Sequence, residues 1–208
     1  MDESVLETSH PGPRPYAGVR SGPVPSYILR VKQDATFDSS FWIHAHRSGL
    51  LPYVLAEYSL HDALAVAAEL WASFPSGLEF WRLALSGVLG ETTRVLDAVG
   101  QFGPGERAAI SVAVENPPWL LLIDDLRPLQ YAVRAGLRAV CSPVLIVTLY
   151  VGKHLTSTEA MAIFARLTAL RTVSPSLLVP AFQQLAAAVA TQGESIEGNA
   201  ETDGFSSP

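Results

Sequence analysis

Residues 119–123 (WLLLI) form an unbroken apolar run of strand length, and two aspartates, Asp124 and Asp125, stop it at its C-terminal end. A strand with no polar alternation has both faces covered, the condition of a parallel strand held between two helical layers. The rest of the chain is periodic in the same sense, with short strand-like runs alternating with amphipathic or strongly helix-forming segments, the pattern of an α/β chain. Residues 35–38 read as a first strand, and Ser39 or Ser40 caps a helix through Phe41, Trp42, Ala45 and Leu50. Residues 51–57 predict a second short helix, 58–61 a strand, and 63–71 (ALAVAAELW) a strong helix. Residues 75–77 break the chain, and 78–88 have no decisive period. A helix is expected over 91–99, ended by Gly100, and another opens at Pro104 and Gly105 and ends at Pro117 and Pro118. Beyond Asp125 the pattern predicts a helix over 126–135, a strand over 137–140, a helix from Ser142 to Tyr150, and amphipathic helices over 156–170 and 176–190.

The 208 residues suffice for one domain with appended segments. Residues 1–30, rich in Pro, Gly and Ser, read as a flexible leader. Residues 192–208 carry Glu194, Glu197, Glu201 and Asp203 with no Lys or Arg, and read as an acidic disordered tail. Residues 31–191 are then the folded body. The signs segregate within it: 34–125 hold 12 acids against four arginines, whereas 126–172 hold only Glu159 against Arg127, Arg134, Arg138, Lys153, Arg166 and Arg171. An acid-rich part followed by a basic part suits a cation site beside a polyanion surface; scattered solvated charges are the plain alternative. Charged residues make up 16%, below the roughly 25% of a typical soluble domain, which suggests a partner-covered surface. The single cysteine, Cys141, excludes an internal disulfide and reads as a buried thiol. The most apolar stretch, 139–152, contains Pro143 and is shorter than the roughly 20 residues of a membrane span. The acidic, proline-rich opening does not read as a secretory signal, so the expected location is the cytoplasm.

In open α/β sheets ligands gather beyond the carboxyl ends of the strands. Asp38 ends the first predicted strand and Asp124 with Asp125 ends WLLLI, while Glu69 and Glu106 add carboxylates from two helices. Clustered carboxylates repel one another unless a cation neutralises them, and hard oxygen donors of this kind suit Mg²⁺ or Mn²⁺. Such a site supports phosphoryl chemistry by activating water, with no protein nucleophile. Taken singly, each acid also has a structural reading: Glu106 complementing a helix dipole, Asp124 or Asp125 capping the next helix, Glu69 solvated, Asp38 in a turn.

These residues carry a resemblance to the PIN-domain family of metal-dependent ribonucleases, which includes many toxins of prokaryotic toxin–antitoxin pairs. It spans 37–185 through DSSFWIHAHRSGLLPYV, AVAAEL, GPGERAAISVAVE and LLLIDDLRPLQYAVRAGLRAVCSPVLIVTLYVGKHLTS. The resemblance implies a three-layer α/β/α sandwich with a central, mainly parallel sheet. It implies Asp38, Glu69, Glu106 and Asp125 as catalytic acids, and Asp38, Glu106, Asp124 and Asp125 as ligands of Mg²⁺ or Mn²⁺. Ser39, Ser40 and Ser142 stand as supporting residues, with Asp125 fitting the family's last acid slightly better than Asp124. RNA, single-stranded or in a loop, is the expected substrate, with Arg127, Arg134 and Lys153 as backbone contacts; a protein inhibitor of antitoxin type and a second copy of the chain are the expected partners. The alternative is a PIN-like module that binds or oligomerises but cleaves nothing.

Other signals are negative. His44 and His46 are two apart, so on a helix they face different ways and cannot share a metal; they read as a solvated or half-buried pair. GVLGE and GPGER lack the spacing and preceding strand of a phosphate loop, no G-x-S-x-G turn marks a serine hydrolase, and no D-x-D at Asp38 marks covalent phosphoryl transfer.

Overall fold

The computed structural model describes residues 31–92 and 101–197, with side chains placed outside 91–92 and up to Thr191. The predicted leader, residues 1–30, and the end of the predicted tail, 198–208, lie outside the described residues. The chain divides into residues 1–31 and 32–208, and the second unit contains every element below.

The elements run β1 (Gln33–Phe37), α1 (Ser39–Ser48), α2 (Leu51–Glu57), β2 (Tyr58–Ala63), α3 (Leu64–Leu70), α4 (Ser76–Leu85), β3 (Gly90–Thr92), α5 (Pro104–Glu115), β4 (Leu120–Leu122), α6 (Leu126–Arg134), β5 (Ala139–Val140), α7 (Ser142–Val151), α8 (Ser157–Ala169) and α9 (Pro175–Glu197). All five strands pair in parallel in the order β3-β2-β1-β4-β5. The chain steps outward from β1 to β3, then crosses back over β1 to β4, so strand order reverses between β1 and β4. Their carboxyl ends therefore part to leave the crevice in which such sheets bind ligands.

The α/β reading and the parallel central sheet are as expected from the sequence, and WLLLI shows why. Leu121 and Ile123 pack with Ala109, Ile110, Ala113 and Ala132 of α5 and α6 on one face. Leu122 joins the larger core on the other face, with Ala35, Phe37, Phe41, Trp42, Leu145 and Ile146. Helices on both faces make three layers. Phe37 stacks 5.2 Å from Trp42, whose indole N–H donates to the Ser76 carbonyl at 2.9 Å, fixing α1 against the start of α4. Behind α1 and α7 lie α8 and α9.

Three expectations need correction. The first strand begins at Gln33 and ends at Phe37, because Asp38 leaves the sheet to cap α1; polar Asp34 is accommodated by His61 of β2, 2.7 Å away. Helix was expected from residue 91, but Gly90–Thr92 is a strand beside β2. At Gly90 an added Cβ would lie 2.3 Å from His61 Nδ1, so the missing side chain lets β3 close on β2. Residues 93–100 of that expected helix lie outside the described residues. The last helix runs on through Glu197, into the segment read as tail. Residues 78–88, which showed no decisive period, belong mostly to α4. Among the described residues no helix is long and apolar enough to cross a membrane.

Candidate functional site

β1 hands directly to α1 through Asp38. Its backbone stays extended, and its Oδ1 accepts from the Phe41 amide at 2.8 Å, so Asp38 rather than Ser39 or Ser40 is the N-cap. The two serines become the first helical residues and present their hydroxyls to acids. Ser40 Oγ donates to Asp38 Oδ2 at 2.5 Å and stands 3.1 Å from Asp125 Oδ2; Ser39 Oγ donates to Glu69 Oε2 at 2.5 Å. One helical turn thus holds three of the four predicted catalytic carboxylates.

Glu69, near the end of α3, also accepts from the Gly105 amide at 2.8 Å, joining the N-terminal turns of α1 and α5. Gly105 is required there, since a Cβ would fall 2.2 Å from Glu69 Oε2. Gly105→Ala is expected to push the Glu69 carboxylate off the amide and cost about 1.5–3 kcal/mol in thermal or urea unfolding, the range of a bond to a charged acceptor. In a Glu69→Ala background the same substitution should cost almost nothing; an equal penalty in both backgrounds would show that the clash falls elsewhere.

Glu106, in the first turn of α5, reaches back to accept from the Gly103 amide at 2.8 Å. It therefore performs the helix-terminus role allowed for it while also lying within hydrogen-bonding reach of Asp125. Asp125 is the exposed N-cap of α6, and its side chain makes no capping bond, which leaves it free for the cleft.

Asp124 does something different from what was expected. Its Oδ1 accepts from the Ser142 amide at 2.6 Å, and its Oδ2 takes Ser142 Oγ at 2.6 Å and His44 Nδ1 at 2.7 Å. Both oxygens accept hydrogen bonds and the residue is 3% exposed, so Asp124 ties β4 to α1 and to the start of α7. Ser142 supports that carboxylate from the first residue of α7, whose N-cap is Cys141. His44, read as solvated or half-buried, is buried instead. A signal existed: Phe41, His44, Ala45 and Ser48 make an i, i+3, i+4, i+7 stripe, which places the imidazole on the packed face. Its Nε2 meets Thr172 Oγ1 at 2.7 Å, a partner 128 residues away. His46 faces elsewhere, with Nδ1 3.2 Å from Ser76 Oγ, so the two histidines do diverge.

A cleft of about 400 Å³ opens at Glu106, Asp124 and Asp125, lined also by Arg127, Thr172 and Ser174. A second hollow of about 210 Å³ shares Gln101, Phe102 and Arg127 with it and adds Arg134. Two of the three predicted basic contacts therefore follow the cleft. Lys153 does not line it: α7 starts at Ser142 beside the site, and its ten residues carry the chain about 15 Å away.

Burial drives the Asp38 carboxyl well above the usual carboxylate range; its bonds from Ser40 and Phe41 pull it back, and Asp124 and Asp125 add like-charge repulsion. Burial likewise raises Glu106, opposed by the Gly103 amide and reinforced by Asp125 and Glu69. Burial pushes the Cys141 thiol up to about 11, which makes it inert at neutral pH. Among the described residues no three carboxyl or imidazole groups form a ready-made cage. The donor set is nevertheless one of hard oxygens, of which the Asp38 and Glu106 carboxyls have raised proton affinity. It suits a small divalent cation that keeps several of its waters. Neither the family models nor the curated proteins give a match for this chain.

Proposed function

We propose that this chain is a PIN-type, metal-dependent ribonuclease that hydrolyses phosphodiesters of single-stranded or looped RNA. The observation that carries the reading is the meeting of Asp38, Glu69, Glu106 and Asp125, from four separate elements, around the first turn of α1 at the point where strand order reverses. Asp38, Glu106 and Asp125 would hold Mg²⁺ or Mn²⁺, which supplies polarisation of water and phosphate together with relief of the carboxylates' repulsion. Ser40 keeps Asp38 and Asp125 at a fixed separation, and Glu69 fixes α3 against α1 and α5. Glu106, beside Asp125, would take the proton from an attacking water. Arg127 and Arg134, along the adjoining groove, would meet backbone phosphates, and a shallow cleft of this kind favours unstacked strands over a duplex.

A second reading, a PIN-like binding module or homodimer that cleaves nothing, draws on a different feature. An apolar groove of about 750 Å³ lies between α8 and α9, where Met161, Val179 and Phe182 are exposed. A protein inhibitor of antitoxin type or a second copy of the chain would find its contacts there.

The two readings part in one assay. Mixed-sequence single-stranded RNA incubated with the purified protein is expected to be cut with Mn²⁺ and to survive with EDTA. Arg127→Gln together with Arg134→Gln should flatten the fall of single-stranded RNA affinity with salt by a slope of about 1.4. Intact RNA under all metal conditions, with no Mn²⁺-dependent rise in melting temperature, would sink the nuclease and leave the binding module.

A further inference from the structure

Asp124, His44 and Thr172 form a hydrogen-bonded line that ends in the cleft, and it does not involve the carboxylates assigned to a cation. We infer that this line is an Asp–His–Thr relay in which the Thr172 hydroxyl is a nucleophile for acyl transfer from small, uncharged esters. The inference is independent of the phosphodiester reading and needs no metal.

The hydrogen-bond roles follow from donor and acceptor chemistry. Asp124 Oδ2 faces the Ser142 hydroxyl and His44 Nδ1, and the neutral tautomer that donates to this carboxylate carries its proton on Nδ1. The lone pair of the neutral imidazole is then on Nε2, 2.7 Å from Thr172 Oγ1, where it accepts the threonine proton. A nucleophile on a base that is itself oriented by a buried third group is the recurring signature of an activated hydroxyl, recognised by geometry rather than by a sequence motif. The missing G-x-S-x-G turn therefore does not bear on it.

The backbone points the same way. Arg171, directly before Thr172, sits at φ 57°, a left-handed conformation that costs a residue with a Cβ about 1–2 kcal/mol. That turn brings Thr172 out of α8 and onto His44 while leaving the residue exposed to the cleft. Leu126 and Arg127 line the same cleft, and their amides lie in the first turn of α6, where no intrahelical acceptor exists and Asp125 offers no side-chain cap. Arg127, which lines the cleft together with Thr172, would supply positive charge to a developing oxyanion. Glu106 and Asp125 repel anions, and the cleft volume limits size, which selects small uncharged esters.

In the reaction, Thr172 Oγ1 bonds to the ester carbonyl carbon as its proton passes to His44 Nε2. The carbon–oxygen bond to the alcohol breaks, and the departing oxygen takes that proton. Water then repeats the sequence on the acyl-threonine, giving free acid and restoring the hydroxyl.

The test uses the full chain in EDTA with a fluorophosphonate: the Thr172 oxygen–phosphorus bond forms, the phosphorus–fluorine bond breaks, fluoride leaves, and the proton goes to His44. Mass spectrometry of the digested protein is expected to show one phosphonyl group, on Thr172. Thr172→Ser should keep the adduct, Thr172→Val should abolish it, and His44→Gln should slow labelling by about 100-fold or more. No adduct on the wild type, or an adduct that persists in Thr172→Val, overturns the inference. So does undiminished labelling of a folded His44→Gln protein. Thr172 is exposed, so its two variants decide the matter even where His44→Gln fails to fold.

Discussion

Replacing Asp38 with Asn is expected to abolish metal-dependent RNA cleavage, by about 100-fold or more, while the melting temperature holds or rises. The two effects separate because the residue is buried and its charge is unfavourable in the fold. Asn keeps the oxygen that accepts from the Phe41 amide, so the cap of α1 survives. Ser40 loses one acceptor but still has Asp125 Oδ2 at 3.1 Å. What disappears is a carboxylate whose proton affinity is raised by burial and by its acidic neighbours. A raised carboxyl favours folding in its protonated form; that contribution is complete below the ordinary carboxylate range and is lost as pH climbs through the raised value. Glu106 shifts in the same direction, but it is present in both proteins and cancels from the comparison. The wild type should therefore lose stability relative to Asp38→Asn as pH climbs above the ordinary carboxylate range and through the raised Asp38 value, as read by parallel thermal melts. Mn²⁺ should restore stability to the wild type, by about 2.7 kcal/mol at a hundredfold excess over Kd, and do little for the variant. A variant that melts far below the wild type across the range, with or without Mn²⁺, would make Asp38 a structural cap and nothing more.

Much of this arrangement was legible because it depends on local rules. An apolar strand closed by Asp, a helix opened by Pro-Gly-Glu and the bounds 51–57 follow from periodicity and turn chemistry, and the strand ends bring the acids to one edge. The division of labour between Asp124 and Asp125 was not legible. Adjacent residues leaving a strand diverge, so one of the pair had to turn inward, but which one depends on Ser142 and His44, 18 and 80 residues away. Thr172 gives still less notice, since it lies in the turn between α8 and α9 and gains its role only from a partner on α1. The strand at Gly90–Thr92 was missed for a related reason: nothing in three residues outweighs helix-forming neighbours until β2 offers them an edge.

The inward aspartate supplies the largest expected loss of stability. Asp124→Ala should destabilise the fold by about 3–5 kcal/mol, because it strips a buried imidazole, a buried hydroxyl and a buried amide of their shared acceptor at once. The three donors belong to α1 and α7, so the carboxylate is the point where the end of β4 holds the helices of one layer in register. Urea unfolding should show a lower midpoint with an unchanged slope if the native core is otherwise intact. The penalty comes more from abandoned donors than from lost attraction, which makes the double variant informative. Adding His44→Leu to Asp124→Ala removes the unpaired imidazole and should bring the total well below the sum of the single effects. Thr172→Val, at the exposed end of the same line, should cost less than about 0.5 kcal/mol. A loss below about 1 kcal/mol for Asp124→Ala would mean that water reaches this carboxylate as freely as it reaches Asp125, and the inward and outward roles assigned to the pair would then have no physical basis.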